Sequence, residues 1–174
     1  MANQIRLASP LQQDSFVDGP GIRMVLWTQG CMHHCPGCHN PQTHDIQGGT
    51  LYDIEDIMKE MKETHLQSGL TLSGGEPFLQ AEALLPIVEC AKEMHLNIWA
   101  YSGFTFEELM QDSQKKALLA QLDVLVDGKF VMDEKDYRLV FKGSKNQRII
   151  DVQASLEKGS VILSSYDDKN QNID

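Results

Sequence analysis

The sequence is poor in positive charge. Its 174 residues include 15 lysine and arginine residues against 25 aspartate and glutamate residues, which leaves a formal net charge of -10 at pH 7. Proteins that bind nucleic acids usually present a basic face, so this balance argues against a phosphate backbone as the ligand. An acidic surface is compatible with a basic protein partner but does not identify one.

The sequence also lacks long apolar runs, internal repeats and low-complexity blocks. No segment approaches the roughly eighteen apolar residues of a membrane span, and residues 1–4 show no signal-peptide pattern. We therefore expect a cytoplasmic protein. Thiols stay reduced in that compartment, which favours metal ligation over disulfides.

The chain is too short for a complete (β/α)8 barrel, which typically needs about 250 residues. It is long enough for a single domain with a sizeable core. We expect that domain to span residues 1–166 and a frayed polar tail to span residues 167–174.

Cysteine is scarce, but three of the four cysteines lie close together. Cys31, Cys35 and Cys38 form a C-x3-C-x2-C run, whereas Cys90 lies at helical spacing from apolar residues and is expected to pack as a small buried side chain. Three thiolates within eight residues suit a metal site better than a disulfide. A cubane iron–sulfur cluster normally takes four cysteines, so three would leave one iron open to a substrate or cofactor.

A structural zinc site is the main alternative for these cysteines. Zinc accepts three cysteines and one histidine, and His33, His34 and His39 are all close enough in sequence to complete such a set. Zinc sites more often consist of two separated cysteine pairs, and the sequence has no second pair. We therefore favour the cluster.

Apolar runs of strand length alternate with helical patterns along the chain, which predicts successive βα units and a parallel sheet. The predicted strands are residues 22–28, 70–73, 97–101, 124–127 and 148–152, with a further short strand at 161–163. Helices are predicted after Asp53, over 83–94 with Pro86 tolerated only in the first turn, and over 105–121 from a capping box at Thr105. The expected fold class is α/β, an open partial (β/α) barrel of about five or six units.

Four motifs follow predicted strands: the cysteine loop, Gly74-Gly75-Glu76-Pro77, Ser102-Gly103 and Asp127-Gly128. Ligands of parallel α/β folds bind at the carboxyl ends of the strands, so we expect these motifs to share one edge. A glycine turn lets the backbone approach a ligand closely because no Cβ intervenes. The alternative for Gly74-Gly75-Glu76 is an ordinary turn with Glu76 opposite a helix dipole.

The C-x3-C-x2-C run resembles the cluster motif of the radical S-adenosylmethionine (SAM) superfamily. Residues 18–23, Asp-Gly-Pro-Gly-Ile-Arg, are similar to the glycyl-radical-enzyme activases. Residues 35–41, 127–130 and 143–147 are similar to the branch that activates anaerobic ribonucleoside-triphosphate reductase. The resemblance covers roughly residues 5–152. Gly37 departs from the wider superfamily, which often has an aromatic residue there, but agrees with this branch.

The resemblance implies one 4Fe–4S cluster per chain, held by Cys31, Cys35 and Cys38, with SAM on the open iron. It implies that reductive cleavage of SAM forms a 5′-deoxyadenosyl radical, which takes a hydrogen atom from a glycine of the partner. The radical is borne by the cofactor, so no side chain is expected to be catalytic. The residues implied to contact SAM are Gly37, Cys38, His39, Gly74, Gly75, Glu76 and Ser102.

The implied partners are the large subunit of the anaerobic reductase and a flavodoxin- or ferredoxin-type reductant. A pyruvate formate-lyase type activating enzyme, which shares the upstream glycine–proline motif, is the alternative activity. A non-catalytic module that binds zinc or a cluster is the alternative outside enzymes. The sequence leaves open the roles of His33, His34, Asp127 and Arg148.

Overall fold

The computed structural model describes residues 2–168 and 170. Within these residues one mixed sheet is surrounded by short helices. Strands β1 to β8 are Gln4–Leu7, Gln12–Ser15, Arg23–Thr28, Thr50–Asp53, Gly69–Gly74, Asn97–Tyr101, Val124–Asp127 and Arg148–Asp151. Helices α1 to α6 are Ile54–Glu63, Ala81–Glu93, Phe106–Leu109, Ser113–Leu119, Val152–Lys158 and Ser165–Asp168.

The centre of the sheet is parallel and its edges are antiparallel. The strand order is β4-β1-β3-β5-β6-β7-β8, with β2 also paired to β3. Strands β3, β5, β6 and β7 run parallel to one another, and α1, α2 and the α3–α4 pair lie on the three connections between them. The predicted α/β class is therefore confirmed for the described residues.

Strand β8 departs from the prediction. We expected residues 148–152 to continue the parallel series, but β8 pairs antiparallel with β7, with Val124 opposite Asp151. A parallel return needs a crossover, usually a helix. Residues 128–147 contain only the 3-10 turn Met132–Glu134, so the chain returns in the opposite direction. The described residues thus contain three parallel crossovers rather than five or six βα units.

The two faces of the sheet carry different cores because side chains alternate along a strand. On β6, Ile98 and Ala100 join the large core beneath the helices, whereas Trp99 joins a second cluster on the other face. Phe141 and Tyr166 pack on that second cluster. The second face is therefore partly covered by loop 128–147 and by α6.

Two predicted helices differ in detail. The capping box at Thr105 is confirmed, with Thr105 Oγ1 accepting from Glu108 N, but the helix ends at Leu109. A second helix begins because the Asp112 carboxylate accepts from the backbone N–H groups of the next turn. In α2, which begins at Ala81, Pro86 lies beyond the first turn, contrary to expectation.

The short strands β1, β2 and β4 were not predicted, because four-residue segments such as β2, with the sequence QQDS, carry little apolar signal. Residues 161–163 contribute only one bridge, from Leu163 to Ile150. Of the predicted polar tail, Asp167 is buried in α6 and Asn170 is also buried; residues 169 and 171–174 lie outside the described residues. No helix in the described part is long and apolar enough to cross a membrane.

Candidate functional site

A cleft of about 410 Å³ opens where the parallel strands end. Its walls include residues that follow β3, β5, β6 and β7, namely Cys31, Gly75, Ser102 and Gly128. The four motifs that were expected at the carboxyl edge of the sheet therefore meet at one place. The cleft also receives Phe141 and other residues of loop 128–147.

All three clustered cysteines line this cleft. Cys31 is buried, Cys35 and Cys38 are half-buried, and all are free thiols. Backbone hydrogen bonds fix both ends of the loop: Cys31 N donates to His44 O over 3.2 Å, and Cys38 N donates to Cys35 O over 3.1 Å. The cysteine loop is thus held by its own backbone beside the sheet.

Cys90 lies elsewhere. It is buried in the core on α2, as its helical spacing predicted. The cleft is therefore lined by three cysteine side chains and lacks a fourth.

Negative charge would be poorly tolerated around Cys31. Burial raises the pKa of the Cys31 thiol, and Glu76 and the other two cysteines raise it further, against a lowering by a backbone hydrogen bond at His33. A Cys31 thiolate at this place would therefore need a cation to balance its charge. Iron of a cluster would supply that charge.

The geometry gives no support to a zinc ion. Within the described residues, no three cysteine, histidine, aspartate or glutamate side chains converge on a point that would hold a metal ion. Of the three histidines proposed as a fourth ligand, His33 is hydrogen-bonded to Glu76, and His34 and His39 are exposed. A cubane has its irons at separate corners, so its thiolates need not converge on one point.

The two glycines after β5 are required by the protein itself. Gly74 has a φ of +103°, and a Cβ there would collide with the backbone of Thr28. A Cβ at Gly75 would collide with the carbonyl of Gly30, where the cysteine loop begins. Both glycines also line the cleft, so the turn packs on β3 and faces the cleft at the same time.

Glu76 is almost completely buried, with 1% exposure, and both its carboxylate oxygens are occupied. Oε1 accepts from Ser102 Oγ at 2.8 Å and from Phe78 N at 3.2 Å. Oε2 is 2.8 Å from His33 Nε2 and accepts from Gly103 N at 2.8 Å. The carboxylate therefore connects the cysteine loop to the ends of β5 and β6.

The other predicted SAM-contacting residues are divided between the cleft and its exterior. Cys38, His39 and Ser102 line the cleft. Gly37 does not; it has a φ of +73°, and the side chain of Met132 occupies the space where a Cβ would lie. Its role visible in the structure is to allow the turn of the cysteine loop.

Asp127 and Arg148 do not line the cleft. Arg148 Nε and Nη2 donate to the two oxygens of Asp127 at 3.0 and 2.6 Å, and the same guanidinium donates to Glu107. Asp127 also accepts from Phe106 N. These residues join β7, β8 and the start of α3, which is a structural role.

Sequence reasoning missed His44 and Tyr101, which line the cleft. His44 Nε2 is buried and has no hydrogen-bond partner within the described residues, and its ring contacts His34 edge to face at 5.6 Å. Tyr101 Oη donates to Phe141 O at 2.9 Å. The position of Tyr101 just before Ser102 was a usable signal, whereas nothing in the spacing pointed to His44.

These features define a class: an α/β domain with one three-cysteine centre at the carboxyl edge of its sheet. Residues 17–150 match the family model described as a 4Fe-4S single cluster domain. The class is therefore that of single-cluster iron–sulfur domains.

Curated relatives narrow the class further. The chain is 40% identical over 141 residues to the anaerobic ribonucleoside-triphosphate reductase-activating protein of Haemophilus influenzae, covering 76% of this chain and 90% of the relative. Identity to the protein of the same name is 41% for Vibrio cholerae, at the same coverage, and 35% over 140 residues for Escherichia coli K12, covering 75% and 89%. The chain belongs to the family of anaerobic ribonucleoside-triphosphate reductase-activating proteins.

Among solved structures, the chain is similar to QueE from Escherichia coli. The TM-score is 0.47 at 13% sequence identity, and the match covers 71% of each chain. This likeness is too distant to support a functional argument.

Proposed function

We propose that the protein cleaves SAM reductively at a 4Fe–4S cluster and generates a glycyl radical on anaerobic ribonucleoside-triphosphate reductase. The observation that carries this proposal is the placement of Cys31, Cys35 and Cys38 around one cleft that has no fourth cysteine. A centre with an open coordination position suits chemistry on a bound cofactor better than simple electron storage. The names of the relatives support the reductase as the target.

The residues at the cleft fit a 4Fe–4S cluster. The donor set is three thiols, and Cys31 carries a raised pKa that a cation would lower. At the cleft wall, His44 Nε2 is a buried polar atom that has no hydrogen-bond partner among the residues that the structure describes. Cys31, Cys35 and Cys38 would hold the cluster. When bound, the cluster and SAM would supply a one-electron cleavage of the sulfonium and the 5′-deoxyadenosyl radical that takes hydrogen from glycine.

The residues of the chain would bind and orient SAM and shield the radical from water. The backbone at Gly74 and Gly75, together with Cys38, His39 and Ser102, forms the walls that we assign to SAM. Gly37 and Glu76 do not line the cleft, so they would support this wall from its far side.

Four aromatic side chains around the cleft would limit water and stray hydrogen donors. They are Trp27, Tyr101, Phe130 and Phe141. None of these roles needs an acid or base, in keeping with a radical borne by the cofactor.

Exposed apolar side chains near the cleft support a protein partner. Val17 lines the cleft and is 77% exposed, Met32 in the cysteine loop is 58% exposed, and Met132 beside Gly37 is 50% exposed. Protein interfaces are enriched in methionine, so the exposed Met32 and Met132 suit contact with a protein partner. We infer that the reductase loop that bears the glycine enters here, and that a flavodoxin- or ferredoxin-type protein supplies the electron.

The parallel strands β3, β5, β6 and β7, whose carboxyl ends meet at the cleft, support the partial barrel of the radical SAM type. The upstream motif of residues 18–23 does not separate the two activase types, because its glycine–proline part is common to both. In this chain Arg23 of the motif holds the fold, since its guanidinium donates to Thr71 and to backbone carbonyls. Incubation with each candidate partner separates the reductase activase from the pyruvate formate-lyase type alternative.

Anaerobic reconstitution tests the proposal. We expect about four irons per chain, SAM cleavage after reduction, and a glycyl radical signal on the reductase but not on pyruvate formate-lyase. Cys31→Ser should lower iron content and abolish SAM cleavage, whereas the matched control Cys90→Ala, altered in the core, should retain both. An intact cluster without SAM cleavage, or zinc in place of iron, would contradict the proposal.

A further inference from the structure

The Glu76 carboxylate is the point where three separate segments meet. It follows β5, it is hydrogen-bonded to His33 in the cysteine loop, and it accepts from Ser102 and Gly103 after β6. The backbone repeats the connection, since Glu76 N donates to Gly30 O at 2.8 Å. We refer to Glu76, His33, Ser102 and Gly103 as the clamp.

The clamp is tightly packed. His33 has a side-chain exposure of 9% and Glu76 of 1%. A Cβ on Gly103 would collide with the imidazole of His33, and the His33 ring meets Phe104 edge to face at 4.6 Å. The ring therefore has little freedom to leave Glu76. Because His33 lies between Cys31 and Cys35, a fixed ring also fixes the part of the loop that bears the ligands.

The hydrogen bonds of the Glu76 carboxylate decide between two roles for this residue: direct contact with SAM, or positioning of the residues that form the site. Each oxygen of Glu76 already has two donors, so a direct contact with the amino group of SAM would have to replace one of them. Breaking a hydrogen bond to a buried carboxylate is costly. The hydroxyl of Ser102 is likewise engaged, donating to Glu76 and accepting from Phe104 N.

We propose that Glu76 is a positioning residue that acts through His33, Ser102 and Gly103, and that it sets the distance between the cysteine loop and the glycine turn. This inference rests on the proposed function, because that distance is the one between a cluster held by the cysteines and SAM held at Gly74 and Gly75. Glu76 itself supplies a ligand to neither of them. Its loss should spare the cluster and harm the alignment of SAM.

The test compares Glu76→Gln, His33→Phe and the double variant in the iron-loaded protein. Gln keeps the size of the Glu76 side chain but presents an N–H group to one pair of donors. Phe keeps an aromatic ring at position 33 but removes its hydrogen bond. We expect near wild-type iron content in each variant. SAM affinity, measured from the change that SAM causes in the electron paramagnetic resonance signal of the reduced cluster, should fall by about tenfold or more.

The double variant shows whether Glu76 acts through His33 or contacts SAM directly. If Glu76 acts through His33, both single variants weaken SAM binding and the double variant is no worse than the more affected single variant. His33→Gln, which still carries a donor, should recover part of the loss. If Glu76 binds SAM directly, only the Glu76 variant loses affinity and His33→Phe binds normally, which overturns the proposal. Glu107→Gln, an exposed carboxylate outside the cleft, is the control for the chemical change.

Hydrogen exchange provides a readout that needs neither cluster nor SAM. The hydrogen-bonded backbone amides of Cys31, Cys38 and Gly103 should exchange faster in Glu76→Gln and His33→Phe than in wild type or Glu107→Gln. Unchanged exchange rates at these amides would contradict the proposed role of the clamp. Failure of wild type to assemble a cluster or cleave SAM would instead overturn the proposed function, and the exchange result would still stand.

Discussion

Arg23 shows how a buried charge can serve the fold alone. Its side chain is fully buried beside Trp99, and burial lowers the pKa of Arg23 to about 10, so the guanidinium is still charged at neutral pH. All five of its N–H groups are used. They donate to Thr71 Oγ1, Pro20 O, Leu70 O, Asn97 O and Asn97 Oδ1.

Replacing Arg23 with lysine should destabilise the protein by at least about 3 kcal/mol, because an ammonium cannot reach all of these acceptors and leaves buried carbonyls unpaired. Urea denaturation at pH 7 measures the loss. Arg138→Lys, at an exposed ion pair with Asp136, is the matched control and should change stability by no more than about 0.5 kcal/mol. Equal losses for both variants would contradict this account of Arg23.

The ion pair between Glu107 and Arg148 predicts that the stability of the protein depends on pH. Hydrogen bonds from Arg148 lower the pKa of Glu107. A lowered pKa in the folded state means that the pair stabilises the protein above the ordinary glutamate pKa of about 4.3 and that this contribution is lost as the pH falls through the folded value. The side chain is 61% exposed, so the contribution is below about 1 kcal/mol.

We expect Glu107→Gln to be slightly less stable than wild type at pH 7 and to approach wild type below about pH 4. Denaturation curves at several pH values measure the difference. A difference that grows as the pH falls would contradict the sign. Gln is the informative replacement because it keeps the size and removes only the charge.

At the scale of elements, the break between α3 and α4 is explained by one side chain. The capping box at Thr105 predicted a single helix over residues 105–121, yet Asp112 accepts from Gln114 N and Lys115 N and starts a new helix. Asp53 offers a natural contrast, since it precedes α1 without a capping hydrogen bond from its side chain.

Asp112→Ala should therefore cost about 1 kcal/mol, and Asp53→Ala should cost less. Thermal denaturation of the two variants gives the comparison. An equal loss would mean that Asp112 does not act as a cap. The same logic explains why local patterns located helices better than their bounds: a single capping carboxylate decides where the second helix begins.

At the scale of the whole molecule, α6 and loop 128–147 together cover part of the second face of the sheet. Trp99, Phe141 and Tyr166 pack edge to face there, with ring centroids 5.4 to 6.0 Å apart. Asp167 fastens the helix: its Oδ1 accepts from Ile149 N and from Lys142 Nζ, each at 3.1 Å. Residues near the end of the chain thus hold the loop that forms one side of the cleft.

Asp167→Ala should cost about 3–5 kcal/mol, because Lys142, with 6% exposure, becomes an unpaired buried charge. Replacing both partners, as in Lys142→Met with Asp167→Leu, should recover part of that loss. Chemical denaturation measures both. Glu157→Ala, at an exposed position of α5, is the control, and a loss no larger than that of the control would contradict the role of Asp167.

The sequence by itself determined the family, the clustering of three cysteines and the central strands. Cys31, Cys35 and Cys38 lie within eight residues, so their spacing is a local property, and buried parallel strands are apolar runs that can be read directly. Only the tertiary structure decided the direction of β8 and the partners of Glu76. His33 and Glu76 are 43 residues apart, and Ser102 and Glu76 are 26 residues apart. No local pattern encodes such contacts, because they form only when the ends of separate strands meet.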